Sequence, residues 1–359
     1  MAQTHVDSSS ETRTVADRVD TPLRSLKHDP DLWFEDGSIV VIAENTGFRV
    51  HKLLLSHLSP VFRDVFMVPQ PVAIDSGPSI VENCPGIRVS DSVYDMKCLL
   101  RAIYDGRGYL TEMSPYIPFP VISALMRLGH KYEIKGVIDE AASHLEEYFT
   151  TDFRRWLQLC SEDIDATFDF TKDEEGAELF EAVNLARLTG KFAILPLALY
   201  KCCQRDVAEI MFGIEREAGG VVRLSQDDIE RCVRARERLL RESCELAGTI
   251  ASAKCPARRC MTPRACPRHL ERLRETFTSM LGDLVNTAVL SGLREQLGEL
   301  TVLPEWTQLC YECRDELISQ HKLKQRQAWG KLLEILDLSD QDLGIEWAGP
   351  WPSWDMEMF

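Results

Sequence analysis

The sequence predicts an α+β domain over residues 29–150, followed by an all-α region over residues 151–345. In the first part, short apolar segments rich in β-branched residues alternate with helical ones, whereas beyond residue 150 only helical periodicity is found. The chain has 359 residues, which exceeds an ordinary compact domain and favours a second domain or a helical extension. Its 45% hydrophobic and 27% charged residues are typical of a globular protein with a sizeable core.

The N-terminal part predicts an arm and then a hairpin. Residues 1–28 are polar, rich in Ser, Thr and Asp, and show no apolar period, so we expect a disordered arm. Residues 38–43 (SIVVIA) are apolar and β-branched, which is typical of a strand. Residues 44–47 predict a loop of about four residues, after which residues 47–51 form the second strand of the hairpin.

Two short helices are expected directly after the hairpin, over residues 51–59 and 60–67. Ser59 followed by Pro60 favours a helix start, because Ser can cap and Pro loses no needed N–H at the first helical position. Helical spacing places three leucines on one face: Leu54, Leu55 and Leu58.

The rest of the first domain is read from its proline-rich loop and its periodicity. Residues 68–86 hold four of the 17 prolines and predict a loop. A short strand is expected at residues 87–89. Apolar residues at helical spacing then predict three helices, over residues 91–105, 118–132 and 135–149.

Beyond residue 150 the periodicity predicts helices separated by a Cys- and Arg-rich loop at residues 255–266. Ser225 and Asp228 together form a capping-box start for one of these helices. The predicted helical ranges are 178–203, 225–246, 270–300 and 315–338. The tail, residues 346–359, is a candidate to pack back on the helical region through Trp347, Trp351 and Trp354.

Charge and apolar patterning limit the partners and the compartment. The formal net charge is −16, which disfavours non-specific binding to nucleic acid or to an anionic membrane. No apolar run approaches the roughly 18 residues that span a bilayer, and the N-terminus resembles no secretory signal. We therefore expect a cytoplasmic or nuclear protein, in which the 12 cysteines are thiols or metal ligands rather than disulfides.

Residues 47–66 (GFRVHKLLLSHLSPVFRDVF) hold two histidines close to two serines and an acid, which raises the question of a catalytic centre. No G-x-S-x-G elbow, complete phosphate-binding loop or H-E-x-x-H motif accompanies them. His57 and Ser56 are neighbours, so on a helix their side chains point about 100° apart. The sequence predicts that the chain is not an enzyme.

The order strand–strand–helix–helix–loop–strand–helix–helix–helix, with these residues, resembles the BTB/POZ domain. The match begins at Asp36, continues through IRVSDSVYDMKCLLRAIYDG and ends with LMRLGHKYEIKGVIDEAASHLEEYF, covering about a third of the chain. The proline-rich loop and the segments FEDGSIVV and FRDVFMVPQP resemble those of the expanded BTB group of mushroom-forming (basidiomycete) fungi. The most specific run is F-x-V-H-K…L…S-x-x-F…F, carried by Phe48, Val50, His51, Lys52, Leu55, Ser59, Phe62 and Phe66.

The resemblance implies a small mixed sheet capped by helices, acting as a protein–protein interaction module. His51 and Ser59 would then be structural, bonding to the backbone where a strand becomes a helix. The family dimerises through an apolar face of its first helices, and the alternative for the same residues here is burial in the monomer core. The residues expected at that face are Leu32, Trp33, Leu54, Leu58 and Val61, with Phe62 beside them.

The cysteine-rich segment holds candidate ligands for a structural zinc ion, although the chain requires no cofactor, and the alternative is that these cysteines are simply buried thiols. Cys310 and Cys313 form a C-x2-C pair, and Cys260 and Cys266, with Cys255 as a substitute for Cys260, can supply the other two thiolates. The segment from Lys254 to Arg274 contains seven basic residues and only one acidic residue, and this excess of positive charge favours the thiolate form of its cysteines. The alternative for this basic segment is contact with nucleic acid, which is disfavoured because no aromatic residue interleaves the arginines.

The sequence thus predicts a non-catalytic, self-associating scaffold or adaptor that works through a BTB domain. One alternative is a substrate adaptor of a cullin-type ubiquitin ligase. Against it, the family's hydrophobic-x-Glu motif is replaced by Met67-Val68-Pro69. The other alternative is a transcriptional regulator that contacts DNA through residues 254–274.

Overall fold

The computed structural model describes residues 26–67, 80–106, 108–113, 117–160, 168–169, 175–216, 219–252, 257–279, 286–291, 303–345 and 347. These residues form two compact units. One unit holds the described residues up to Leu58 together with Phe62–Tyr94, and the other holds Ser59–Val61 and the described residues from Asp95 onward. The predicted α+β fold followed by helices is confirmed.

A five-stranded mixed sheet forms the core of the first unit. Its strands are β1 (Lys27–Trp33), β2 (Ile39–Ala43), β3 (Thr46–Val50), β4 (Ile80–Val81) and β5 (Cys84–Val89). The spatial order is β1-β3-β2-β5-β4. The β1–β3 and β2–β5 pairs are parallel, whereas β2–β3 and β4–β5 are antiparallel.

The central strand and the hairpin follow the sequence pattern with one correction. All five residues of β2 are buried, as the apolar segment SIVVIA predicts. Ala43 pairs with Thr46, so Glu44 and Asn45 alone connect the strands, where the sequence predicted a loop of about four residues. Glu44 lies in the left-handed region at φ 50, which lets so short a connection reverse the chain.

The edge strand β1 corrects the predicted boundary of the disordered arm. Lys27 and His28, which the sequence placed at the end of that arm, pair with Thr46 and Gly47 of β3. The His28 ring stacks on Trp33 at 3.6 Å between centroids. The rest of the arm, residues 1–25, lies outside the described residues.

Two short helices follow the hairpin as predicted: α1 (Lys52–Leu58) and α2 (Pro60–Met67). The backbone N–H of Lys52 donates to Ser38 Oγ at 3.0 Å, which caps the start of α1. The proline-rich loop predicted over residues 68–86 is wrong at its end, where β4 (Ile80–Val81) and the start of β5 (Cys84–Val89) form strands. Residues 68–79 are outside the described residues.

The second unit is mainly helical. Among its described residues, the helices that continue the first domain have the predicted positions, with α4 and α7 added: α3 (Val93–Asp105), α4 (Gly108–Met113), α5 (Phe119–Lys131), α6 (Lys135–Tyr148) and α7 (Phe153–Leu159). Two-residue strands β6 (Ile117–Pro118) and β7 (Phe168–Asp169) pair in parallel. The apolar face of α5 is almost wholly buried, so this helix lies at the centre of the unit's main core.

The prediction of one continuous helix over residues 178–203 is wrong, because the structure divides this range. The structure has α8 (Glu175–Thr189), a 3-10 turn (Phe192–Ile194) and α9 (Leu195–Cys202). Gly190 takes φ +71, which ends α8 in the way a C-terminal glycine does. Cys202 and Cys203 are fully buried.

A small hairpin separates the next helices, although the sequence indicated only helical structure beyond residue 150. It follows α10 (Val207–Phe212) and pairs β8 (Ile214–Glu215) with β9 (Val221–Val222). Then α11 (Gln226–Ser252) begins at the predicted cap, with the Asp228 N–H donating to Ser225 Oγ at 3.2 Å. It continues to Ser252, past the predicted end near residue 246.

The last helices differ from the predicted ranges in two places. The predicted helix over residues 270–300 is observed as α12 (Cys266–Ser279), and residues 286–291 are bends and turns. Then comes α13 (Pro304–Thr307). The single helix predicted over residues 315–338 is divided at residue 331 into α14 (Tyr311–Gly330) and α15 (Leu332–Ile335), and α16 (Asp340–Leu343) follows. Trp347 stacks on Trp329 and donates to its carbonyl at 3.0 Å, which packs the described start of the tail on α14. Trp351 and Trp354 are outside the described residues.

Candidate functional site

His51, the histidine of the F-x-V-H-K run that resembles the BTB family, lies directly after β3. His51 Nε2 lies 3.2 Å from Asp36 Oδ1, and its ring lies 5.3 Å from that of Phe34. This hydrogen bond is the leading cause that lowers the pKa of Asp36 below its ordinary value. Phe48, on β3, is fully buried. His51 is thus bound to an exposed carboxylate at the strand-to-helix junction.

The remaining residues of the run lie on α1 and α2. Leu55 and Phe62 are buried, and the Phe62 and Phe66 rings stack at 5.8 Å. Lys52 Nζ lies 5.6 Å from the centre of the Phe66 ring. Ser59 is fully buried and its hydroxyl donates to the carbonyl of Tyr132 at 2.6 Å. The Ser59 side chain therefore bonds to a backbone carbonyl.

The five residues predicted for a dimer face differ in exposure. Leu32 is 1% exposed, so it is already buried within the chain. Leu58 is exposed, at 37%. The other three are half-buried: Trp33, Leu54 and Val61.

A groove on the first unit exposes apolar residues that the sequence analysis did not select. Leu53 is 82% exposed and Met67 is 72% exposed, and both line the groove with Phe66. The groove has a volume of about 450 Å³. Its remaining lining is polar or basic: Lys52, Ser56, His57 and Arg63. Below, it is called the α1–α2 groove.

A second candidate site lies where the loop before α12 meets the start of α14. The sulfurs of Cys260, Cys266, Cys310 and Cys313 all lie within 4.8 Å of one another. Cys260 and Cys310 are 3.8 Å apart. The two Cys pairs that the sequence offers as zinc ligands are therefore neighbours in the structure. Cys255, the predicted substitute, is outside the described residues.

Backbone amides and a hydroxyl surround these sulfurs. The Ala257 N–H donates to Cys313 Sγ at 3.4 Å, and the Cys310 N–H donates to Cys266 Sγ at 3.3 Å. Thr262 Oγ1 lies 2.9 Å from Cys266 Sγ. Such donors stabilise negative charge on sulfur.

The four thiols affect one another's protonation unequally. Burial raises the pKa of Cys310, but hydrogen bonds from the Cys313 and Met261 backbones and from the Cys266 and Cys260 thiols outweigh it and lower the pKa to about 6. Burial raises the pKa of Cys260 to about 12, assisted by bonds to its three partner thiols. The four thiols therefore titrate as one coupled group.

The basic segment over residues 254–274 exposes five of its arginines. Arg258, Arg259, Arg264, Arg268 and Arg272 are all exposed. They flank the cysteine cluster in sequence, and so add positive charge to its surroundings.

A further polar cluster, at the start of α11, was recognised in sequence only as a cap. Asp228 is almost fully buried and accepts hydrogen bonds from Arg187, Arg231 and Ser225. Its pairing with Arg187, 41 residues earlier, has no sequence signature.

Comparison with known proteins identifies the class of the first domain. Residues 34–148 match the family model of the BTB/POZ domain. No curated protein and no solved structure matches the chain. The chain thus contains a BTB domain, with a small mixed sheet and helices, followed by a helical C-terminal region.

BTB domains mediate protein–protein interactions and are generally non-enzymatic, so the first domain is an interaction module. Over the part of the chain that the structure describes, no helix is both long and apolar enough to cross a membrane.

Proposed function

We propose that this chain is a non-catalytic scaffold or adaptor that works in the cytoplasm or nucleus and binds a second copy of itself through the first helices of its BTB domain. The observation that carries the proposal is the exposure of large apolar side chains on α1 and α2, in a domain class whose members dimerise. Leu53 and Met67 are the most exposed of these side chains.

The α1–α2 groove has the composition of an interaction surface. Leu53, Phe66 and Met67 supply an apolar floor, and Lys52, His57 and Arg63 supply a polar rim. Burial of apolar area at the centre, with polar groups around it, is the usual arrangement at protein interfaces. Methionine adapts its shape to a partner surface more readily than branched residues do.

The exposures also refine the predicted interface. Leu58 remains a candidate because it is exposed, and Leu54, Trp33 and Val61 remain at the margin because they are half-buried. Leu32 already contributes its area to the monomer core, so we propose Leu53 in its place as the central contact.

The experiment that tests this proposal replaces Leu53 with aspartate in the full chain. Since Leu53 is mostly exposed, Leu53→Asp leaves the fold intact but places a charge at the centre of the interface. We expect dimer affinity to fall about tenfold or more, as for a central interface residue. The matched control is Leu323→Asp, which changes an exposed leucine on α14.

Light scattering gives the dimer fraction of each variant, and circular dichroism verifies its helicity. Dimers weakened by Leu53→Asp and retained in Leu323→Asp support the proposal. Equal dimer affinity in the wild-type chain and Leu53→Asp would remove the groove from the interface. A cullin-adaptor role has no observation of its own here, and a pull-down against a cullin scaffold separates it from scaffolding.

A further inference from the structure

We infer that Cys260, Cys266, Cys310 and Cys313 bind one structural zinc ion, which fastens the loop before α12 to the start of α14. The inference rests first on convergence. The sulfurs come from two segments more than 40 residues apart in sequence, yet all lie within 4.8 Å of one another. Four thiols from two separate segments are not expected to converge on one point through packing alone.

The spacing fits a tetrahedral metal. Zn–S bonds near 2.3 Å place neighbouring sulfurs about 3.8 Å apart. The Cys260–Cys310 separation is 3.8 Å. The other sulfurs need to move inward by no more than about 1 Å to complete the tetrahedron.

The local backbone provides the second requirement of a thiolate site, which is donors directed at sulfur. The amides of Ala257 and Cys310 each donate to a cluster sulfur, Cys313 and Cys266 respectively. Outer donors of this kind orient metal ligands and offset part of their charge. Cys310 is also the N-cap residue of α14, where the helix dipole favours negative charge.

The ligand set decides the class of metal. Four sulfurs without a carboxylate or histidine select a soft or borderline ion and disfavour calcium and magnesium. Since all four positions are cysteine, no position is left open for substrate, which is the pattern of a structural site rather than a catalytic one. Four thiolates around Zn²⁺ leave a charge of about −2, and Arg258, Arg259 and Arg314 adjoin the ligands in sequence.

The ion has a definite mechanical role in this position. Cys266 and Cys313 are members of a small hydrophobic cluster that also contains Leu270, Phe277, Trp306 and Leu317. This cluster joins α12, α13 and α14 and is far smaller than the main core of the unit. A small core gains most from a metal link, because binding free energy becomes folding free energy.

The test measures metal in the full chain purified under reducing conditions with zinc in the growth medium. Elemental mass spectrometry is expected to find one zinc ion per chain. Replacement of the zinc by cobalt is expected to give the visible absorption of a tetrahedral cobalt–thiolate complex. Cys310→Ser and Cys260→Ser are expected to lose most of the bound zinc. The matched control is Cys244→Ser, an exposed cysteine on α11 outside the cluster, which should retain it.

A stability readout separates loss of metal from loss of fold. A chelator should lower the melting temperature of the wild-type chain and of Cys244→Ser, and leave that of Cys310→Ser unchanged. Purified, folded wild-type chain that holds no metal would overturn the inference. So would iron in place of zinc, a Cys260–Cys310 disulfide under reducing conditions, or undiminished zinc in Cys310→Ser.

Discussion

Replacement of Asp228 by alanine is expected to destabilise the second unit strongly, whereas replacement of its neighbour Asp227 is not. Both acids lie in the first turn of α11. Asp227 is exposed, but Asp228 is only 1% exposed. The Asp228 carboxylate accepts from Arg187 Nη2 and Arg231 Nη1 at 2.7 Å and from the Ser225 hydroxyl at 3.0 Å.

The magnitude follows from these bonds and from the exposure of the partners. A hydrogen bond to a charged group contributes about 1.5–3 kcal/mol, and breaking a buried ion pair costs about 3–5 kcal/mol. The Arg187 side chain is 36% exposed, so after the change it regains part of its hydration. We therefore expect a loss of about 2–4 kcal/mol for Asp228→Ala, against less than about 0.5 kcal/mol for Asp227→Ala.

The effect depends on pH with a definite sign. Burial would raise the pKa of Asp228, but the hydrogen bond and charge of Arg187, the Ser225 hydroxyl and the charge of Arg231 outweigh it and hold the pKa below its ordinary value. A lowered pKa in the folded state means that the carboxylate stabilises the fold above the unfolded value of about 3.9. That stabilisation is lost as the pH falls through the folded pKa.

Urea denaturation, followed by tryptophan fluorescence and circular dichroism, measures the free energy of unfolding of each variant. The difference between wild type and Asp228→Ala should be constant from about pH 5 to pH 8 and should shrink below about pH 4. Unfolding free energies of Asp228→Ala and Asp227→Ala that agree within about 0.5 kcal/mol would refute the reasoning. A difference that grows on acidification would refute it too.

Two further predictions concern Ser59 and His51, which belong to the residues that resemble the BTB family. Ser59→Ala removes a fully buried hydroxyl that donates to the Tyr132 carbonyl, so the unfolding free energy should fall by about 1–3 kcal/mol, with Ser56→Ala as the half-buried control in the same denaturation series. His51→Ala removes a bond to the exposed carboxylate of Asp36 and should lower the unfolding free energy less than Ser59→Ala does; a loss as large as that of Ser59→Ala would contradict the exposed pairing seen at His51.

The helices of the first domain could be predicted because each buries one face, and that face recurs along the sequence with helical spacing. The α5 segment is the clearest case, since Val121, Ile122, Leu125 and Leu128 are all buried. The edge strand β1 could not, because KHDPDLW alternates poorly and contains Pro30. Proline is tolerated at a sheet edge, and the parallel pairing with β3 is decided by residues distant in sequence.

At the candidate sites, too, local features could be predicted from the sequence and features decided by tertiary packing could not. The pairs Cys260–Cys266 and Cys310–Cys313 could be read from spacing, because short spacing is a local property. The choice between Leu53 and Leu54 as the exposed leucine could not, since tertiary packing decides which side of so short a helix is covered. Likewise, Gly190 ends α8 in the middle of an apolar stretch whose periodicity continues on both sides.

The central claim is that two copies of this chain bind each other through the BTB domain, and sedimentation equilibrium of the full chain tests it most directly. The chain has a mass of 40.8 kDa. Our account predicts a fitted mass twice that value at micromolar concentration, with a shift toward the monomer mass in Leu53→Asp alone. A wild-type chain that sediments at the monomer mass throughout the micromolar range would contradict it.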